Sequence, residues 1–107
     1  MAGTSMRYLG PMRGAGVLTC GGHSFGRVEF DIGGYQLKPG EVVGSGELTM
    51  PPELLDAAFG RNGLVLTTDD GRVLTLRFSG RRDPKASVAH VDIGGDLPTA
   101  KEWLQRR

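Results

Sequence analysis

Cys20, His23, His90 and Asp92 are of residue types that do chemistry, and their spacing invites two readings. Cys20 and His23 are separated only by two glycines, and His90 and Asp92 share the outward side of one predicted strand. Zinc would need four such ligands, or three and a water. The supply is thin, because the chain has one cysteine and two histidines. Strand parity also puts Cys20 on an apolar side, where a free cysteine fills core. No metal site is expected. The second reading is nucleophilic: Cys20 or Ser24 attacking, His23 or His90 as base, and Asp31 or Asp92 orienting it. Neighbours in sequence are not thereby within hydrogen-bond reach. No Gly-x-Ser-x-Gly elbow leads into a helix, and Gly44-Ser45-Gly46 lies in a strand context. A small-ligand or hydrolytic site around His23, His90 and Asp92 is therefore the alternative, and it requires a fold that brings the three into one pocket.

Two other motif classes rank lower. The glycine-rich runs from Gly10 to Gly16 and from Gly44 to Gly46 could cradle a phosphate only if they opened a helix, and neither does. Arg77, Arg81, Arg82 and Lys85 form a basic group in and beside one polar loop, a nucleic-acid interface as a third reading. Barrels that bind oligonucleotides add exposed aromatics to such loops. Here most aromatics fall inward by parity or serve as anchors, and Asp83 supplies a counter-charge, so nucleic acid is not the expected partner.

The elements that must position these residues are strands. Leu64 to Phe78 reads as a β-hairpin, two runs rich in Val, Leu and Thr around Asp69-Asp70-Gly71. A two-residue loop would set Leu66 against Thr75 and Leu64 against Arg77, mixing both faces. A three-residue loop pairs Leu66 with Leu74 and Leu64 with Leu76, and places Gly71 at the left-handed position that only glycine takes without steric cost. Upstream, Val28, Phe30 and Ile32 alternate with Arg27, Glu29 and Asp31 as a half-solvated strand. Arg7-Tyr8-Leu9 reads as a short strand ended by Gly10-Pro11. Gly33-Gly34 reads as a break in phase, Pro39-Gly40 as a turn, and Gly44-Ser45-Gly46 as an interruption of the strand from Val42 to Met50. Pro51-Pro52-Glu53 opens a short helix with Leu54, Leu55, Ala58 and Phe59 on its apolar side, expected to plug an end of the sheet. Ala89, Val91 and Ile93 point inward from a last strand, and Leu97 to Leu104 closes the chain as a helix anchored by Trp103. Val-Leu-Thr and Asp-Ile-Gly-Gly occur in that order at 17–19 and 31–34 and again at 73–75 and 92–95. A duplicated strand-loop-strand unit and coincidence both account for this.

Composition supports one domain. The chain has 107 residues, of which 18 are Gly and 6 are Pro. The glycines are dispersed between strand-like runs, as turns and bulges of a folded domain require. Residues 1–5 are expected to be a disordered leader and 6–107 one β-rich domain. Formal net charge is +1, but residues 41–71 hold one basic and six acidic groups, while 72–107 hold eight basic and four acidic. Such a layout gives little reason to expect general nucleic-acid binding. The single cysteine excludes an internal disulfide and fits a cytoplasmic protein, as does the lack of a signal-peptide pattern. No apolar run approaches the ~20 residues of a membrane helix.

The remaining surplus is apolar. Val65, Val73 and Thr75 make the outer face of the hairpin drier than a solvated face needs, and an open sheet must protect its edges. A partner subunit or the chain's own terminal helix would cover that face. The expectation is an all-β fold with two short helices, a small antiparallel sheet of six to seven strands forming a partly open barrel or a two-layer sandwich. Its function is expected to be that of a non-catalytic binding or assembly module, self-associating as a homodimer, with no cofactor.

Overall fold

The hairpin from Leu64 sets the geometry. In the structure, a computed structural model describing residues 6–38, 40–80 and 86–105, Leu64 pairs with Leu76 and Leu66 with Leu74. The loop is Asp69-Asp70-Gly71, with Gly71 at φ 92°. It is closed by Thr68 N–H donating to Arg72 O at 2.9 Å and Gly71 N–H donating to Thr68 O at 2.9 Å. The elements in chain order are β1 (Arg7–Cys20), β2 (His23–Lys38), β3 (Glu41–Thr49), α1 (Pro52–Ala58), β4 (Leu64–Thr68), β5 (Val73–Gly80), β6 (Val88–Gly95) and α2 (Ala100–Gln105). Residues 1–5, Pro39, residues 81–85, residues 106–107 and the side chains of Leu104 and Gln105 lie outside the described residues.

The six strands form one antiparallel sheet that closes in a ring, in the order β1-β2-β3-β6-β5-β4. Paired residues run from Cys20 through Leu64, Leu76, Ile93, Gly44 and Gly34 back to Gly10, so one circuit displaces the register by ten residues along β1. That stagger on six strands means a steep tilt, a narrow interior and an uneven barrel. Leu18, Leu48, Leu66, Leu74 and Val91 fill the interior and are fully buried.

Three expected interruptions are absent for physical reasons. β1 runs unbroken through Gly10-Pro11, because it pairs with β4 only from Gly16 to Cys20. Pro11 therefore sits where β1 has a strand on one side only, and its missing N–H faces no strand partner. The Pro11 carbonyl on that side instead accepts from Trp103 Nε1 at 3.3 Å. β2 likewise runs through Gly33-Gly34, and the register shift sits opposite, between Tyr8 and Gly10, where Gly10 takes φ 132°. β3 is continuous across Gly44-Ser45-Gly46.

Both helices pack against the core. α1 buries Leu55 and Ala58, whereas Leu54 and Phe59, expected on its apolar side, are partly exposed. α2 starts with a capping box: Thr99 N–H donates to Glu102 Oε1 at 2.9 Å and Glu102 N–H to Thr99 Oγ1 at 3.1 Å. Its Trp103 lies so close over Gly34 that a Cβ there would collide with the indole ring. The helix thus fills the gap beside the unpaired half of β1.

Candidate interaction face

The tripeptide Val-Leu-Thr occurs three times, at 17–19, 65–67 and 73–75, and the ring sets the three copies side by side. In β1 and β4, Val17 pairs with Thr67, Leu18 with Leu66 and Thr19 with Val65. In β4 and β5, Val65 pairs with Thr75 and Thr67 with Val73. Strand parity turns each leucine inward, and Leu18, Leu66 and Leu74 are fully buried. The other six residues point out in two rows, Val17-Thr67-Val73 and Thr19-Val65-Thr75. All six are β-branched and uncharged, a patch with stiff side chains and little rotamer freedom to lose on contact. Val73 is 53% exposed. Of this patch, sequence reasoning named Val65, Val73 and Thr75 and missed Val17, Thr19 and Thr67. The available signal was the third copy of the tripeptide.

The outer face of β2, β3 and β6 differs. Glu29 faces Thr49, Asp31 faces Glu47, and Glu47 faces His90. Arg13 of β1 reaches Asp31 at 3.1 Å. At the border between the faces, Arg27 makes a two-pronged ion pair with Asp69, at 2.8 and 3.0 Å. These hydrogen bonds hold the Asp69 carboxyl below its ordinary pKa, with the guanidinium charge adding to them, and raise that of Arg27 in return.

The candidate catalytic set is not assembled. His23 opens β2 opposite Cys20, and its ring packs against Phe25 at 4.9 Å between centroids. His90 and Asp92 lie on β6, with β1, β4 and β5 intervening on one way round the ring, each strand about 4.8 Å wide. The other way crosses β3 to Gly33 and Asp31 and then requires eight or more residues along β2. On neither route round the ring does strand pairing set His23 beside His90 and Asp92. Cys20 Sγ donates instead to Asn62 O at 3.3 Å. Among the described residues no three His, Cys, Asp or Glu side chains gather as a metal site would require. The two glycine runs lie inside β1 and β3 and open no helix.

Arg77 is exposed on β5 opposite Asp92, while Arg81, Arg82 and Lys85 fall outside the described residues. Phe25, Phe30 and Trp103 are buried, as expected of most aromatics here, whereas Tyr8 is 56% exposed. No described helix is long and apolar enough to cross a membrane. Compared with models of protein families, with curated proteins and with solved structures, the chain matches none.

Proposed function

We propose that the chain is a non-catalytic binding and assembly module that pairs with a second copy of itself through the outer face of β1, β4 and β5. One observation carries this reading: three adjacent strands turn six uncharged β-branched side chains outward, Thr67, Val73 and Thr75 exposed and Val17, Thr19 and Val65 half-buried. Contiguous uncharged patches of this kind mark interaction sites. The chain's own terminal helix does not cover the patch, because Trp103 docks on Gly34 and Pro11 and leaves Val73 exposed. Open edges play no part in it, since ring closure pairs β4 and β5 on both sides. Association is accordingly face to face, with the same patch on both partners.

Sedimentation equilibrium at tens of micromolar tests this directly. The expected mass is twice that of one chain, and Val73→Lys, which places a cation at the most exposed valine of each copy's patch, returns it to one chain without loss of the far-ultraviolet spectrum. A wild-type mass of one chain across that range refutes the reading.

A further inference from the structure

A second outer surface combines aromatic rings with one carboxylate. Asp92, Ser45 and Gly33 form a row across β6, β3 and β2 as successive partners. Neither Ser45 nor Gly33 raises a large side chain above the sheet. Tyr8 of β1 lies down over Gly33, where a Cβ would meet Tyr8 Cε1 at 2.9 Å and the Tyr35 hydroxyl at 3.4 Å. The two tyrosine rings brace each other, with centroids 5.3 Å apart and planes tilted by 53°. Glycine inside a strand costs stability and marks places where another group approaches closely. Gly33 is filled by Tyr8, but Ser45 and Gly94 floor an open groove of about 590 Å³. Its walls are Met6, Tyr35 and Val43 on one side and Asp92 on the other.

We propose that this groove binds an organic cation, an ammonium or guanidinium on an apolar stem such as a lysine or arginine side chain provides. Charge complementarity decides the class. Asp92 carries the single formal charge among the lining residues, so an anion is repelled there. The apolar stem packs on Met6, Val43 and the Tyr35 ring. Two strand spacings, about 10 Å, separate Asp92 from the ring-covered Gly33. That gap takes the stem and head of one such side chain with the head at the carboxylate. Arg77 is the partner of Asp92 on its other flank, so it opposes the incoming cation and competes for the same carboxylate.

The test is a nuclear magnetic resonance titration of the full chain with acetylated, amidated lysine and arginine, and with the norleucine equivalent as the uncharged match. Saturable shifts at the Gly44, Ser45 and Gly94 amides with the two cations, and not with norleucine, are expected. Asp92→Asn should weaken binding about tenfold or more, the worth of a charge-assisted hydrogen bond, and Arg77→Ala should tighten it. Absence of saturation, equal shifts with norleucine, or unaltered affinity in Asp92→Asn overturns the proposal. Repeating the titration in Val73→Lys separates it from self-association: the groove binds in the single chain whether or not the wild type forms a pair.

Discussion

On the outer side of β1, β4 and β5, the three Val-Leu-Thr segments present only valine and threonine. The outer side of β2, β3 and β6 presents Glu29, Asp31, Glu47, His90 and Asp92, with Arg13 of β1 beside them. Beneath both faces the interior is alike, Leu18, Leu66 and Leu74 under one and Ile32, Leu48 and Val91 under the other, all buried. The inward residues are therefore enough to drive folding, and the outward ones are free to differ. A strand facing water on one side normally alternates apolar with polar or charged residues. The charged face follows that rule and repels nonspecific contact. The uncharged face departs from it only where three strands meet, and that departure carries the assembly reading.

The contrast presumes that β1 keeps its place in the ring, and Trp103 packs beside the half of β1 that has one strand neighbour. Trp103→Ala removes the indole that covers Gly34 and donates to Pro11 O. A loss of about 3–5 kcal/mol in urea unfolding is expected for a buried Trp truncation. A loss under about 1 kcal/mol would mean that β1 holds its unpaired half without α2.

Matched charges sharpen the contrast next. Thr67→Lys on the uncharged face should weaken self-association about tenfold or more, as an unpaired cation buried between two partners would. Thr49→Lys, on the charged face opposite Glu29, should leave the sedimentation mass as it was. Measured at concentrations too low for pairing, both should change unfolding stability by no more than about 0.5 kcal/mol, as exposed substitutions do. Equal effects of the two on mass would erase the distinction between the faces.

A smaller effect tests the hairpin that carries two of the three Val-Leu-Thr copies. Gly71 sits at φ 92°, so Gly71→Ala should cost roughly 1 kcal/mol or more through strain at positive φ. An unchanged melting temperature would contradict the turn.

That turn was legible because alternation and one glycine position left a single register that kept Leu64, Leu66, Leu74 and Leu76 on one side. The continuity of β1, β2 and β3 was not legible. Gly10-Pro11, Gly33-Gly34 and Gly44-Ser45-Gly46 carry the usual marks of turns, yet each lies inside a strand. The cause is tertiary. A steeply staggered ring needs small residues where Trp103 and Tyr8 lie against the sheet, and a strand paired on one side tolerates proline. The same limit applied to the site. Parity placed Val65, Val73 and Thr75 outward, but only the β1–β4 pairing reveals Val17, Thr19 and Thr67 beside them. The groove at Asp92 draws its lining from Met6, Tyr35, Val43 and Gly94, residues far apart in the chain that only the strand pairing brings together.

The smallest expected effect lies on the border between the faces. Arg27 faces Val17 across the β1–β2 pairing and reaches Asp69 in the β4–β5 turn, so the pair ties the charged face to the uncharged one. Asp69 titrates below its ordinary value in the folded chain, through the hydrogen bonds from Arg27 first and its charge second. A carboxyl with a lowered folded pKa binds its proton more readily when unfolded. Its contribution is therefore present in full above the unfolded value and is lost as the pH falls through the folded one. Both side chains are well exposed, so the contribution is small and screened by salt. Urea unfolding of wild type and Asp69→Asn should show a slight wild-type advantage at neutral pH that shrinks in acid and in high salt. A gap that persists under both conditions would mean that the Asp69 carboxylate stabilises the turn by something other than its ion pair with Arg27, since the N–H that residue 69 donates to Ala15 O at 3.0 Å is kept in both chains.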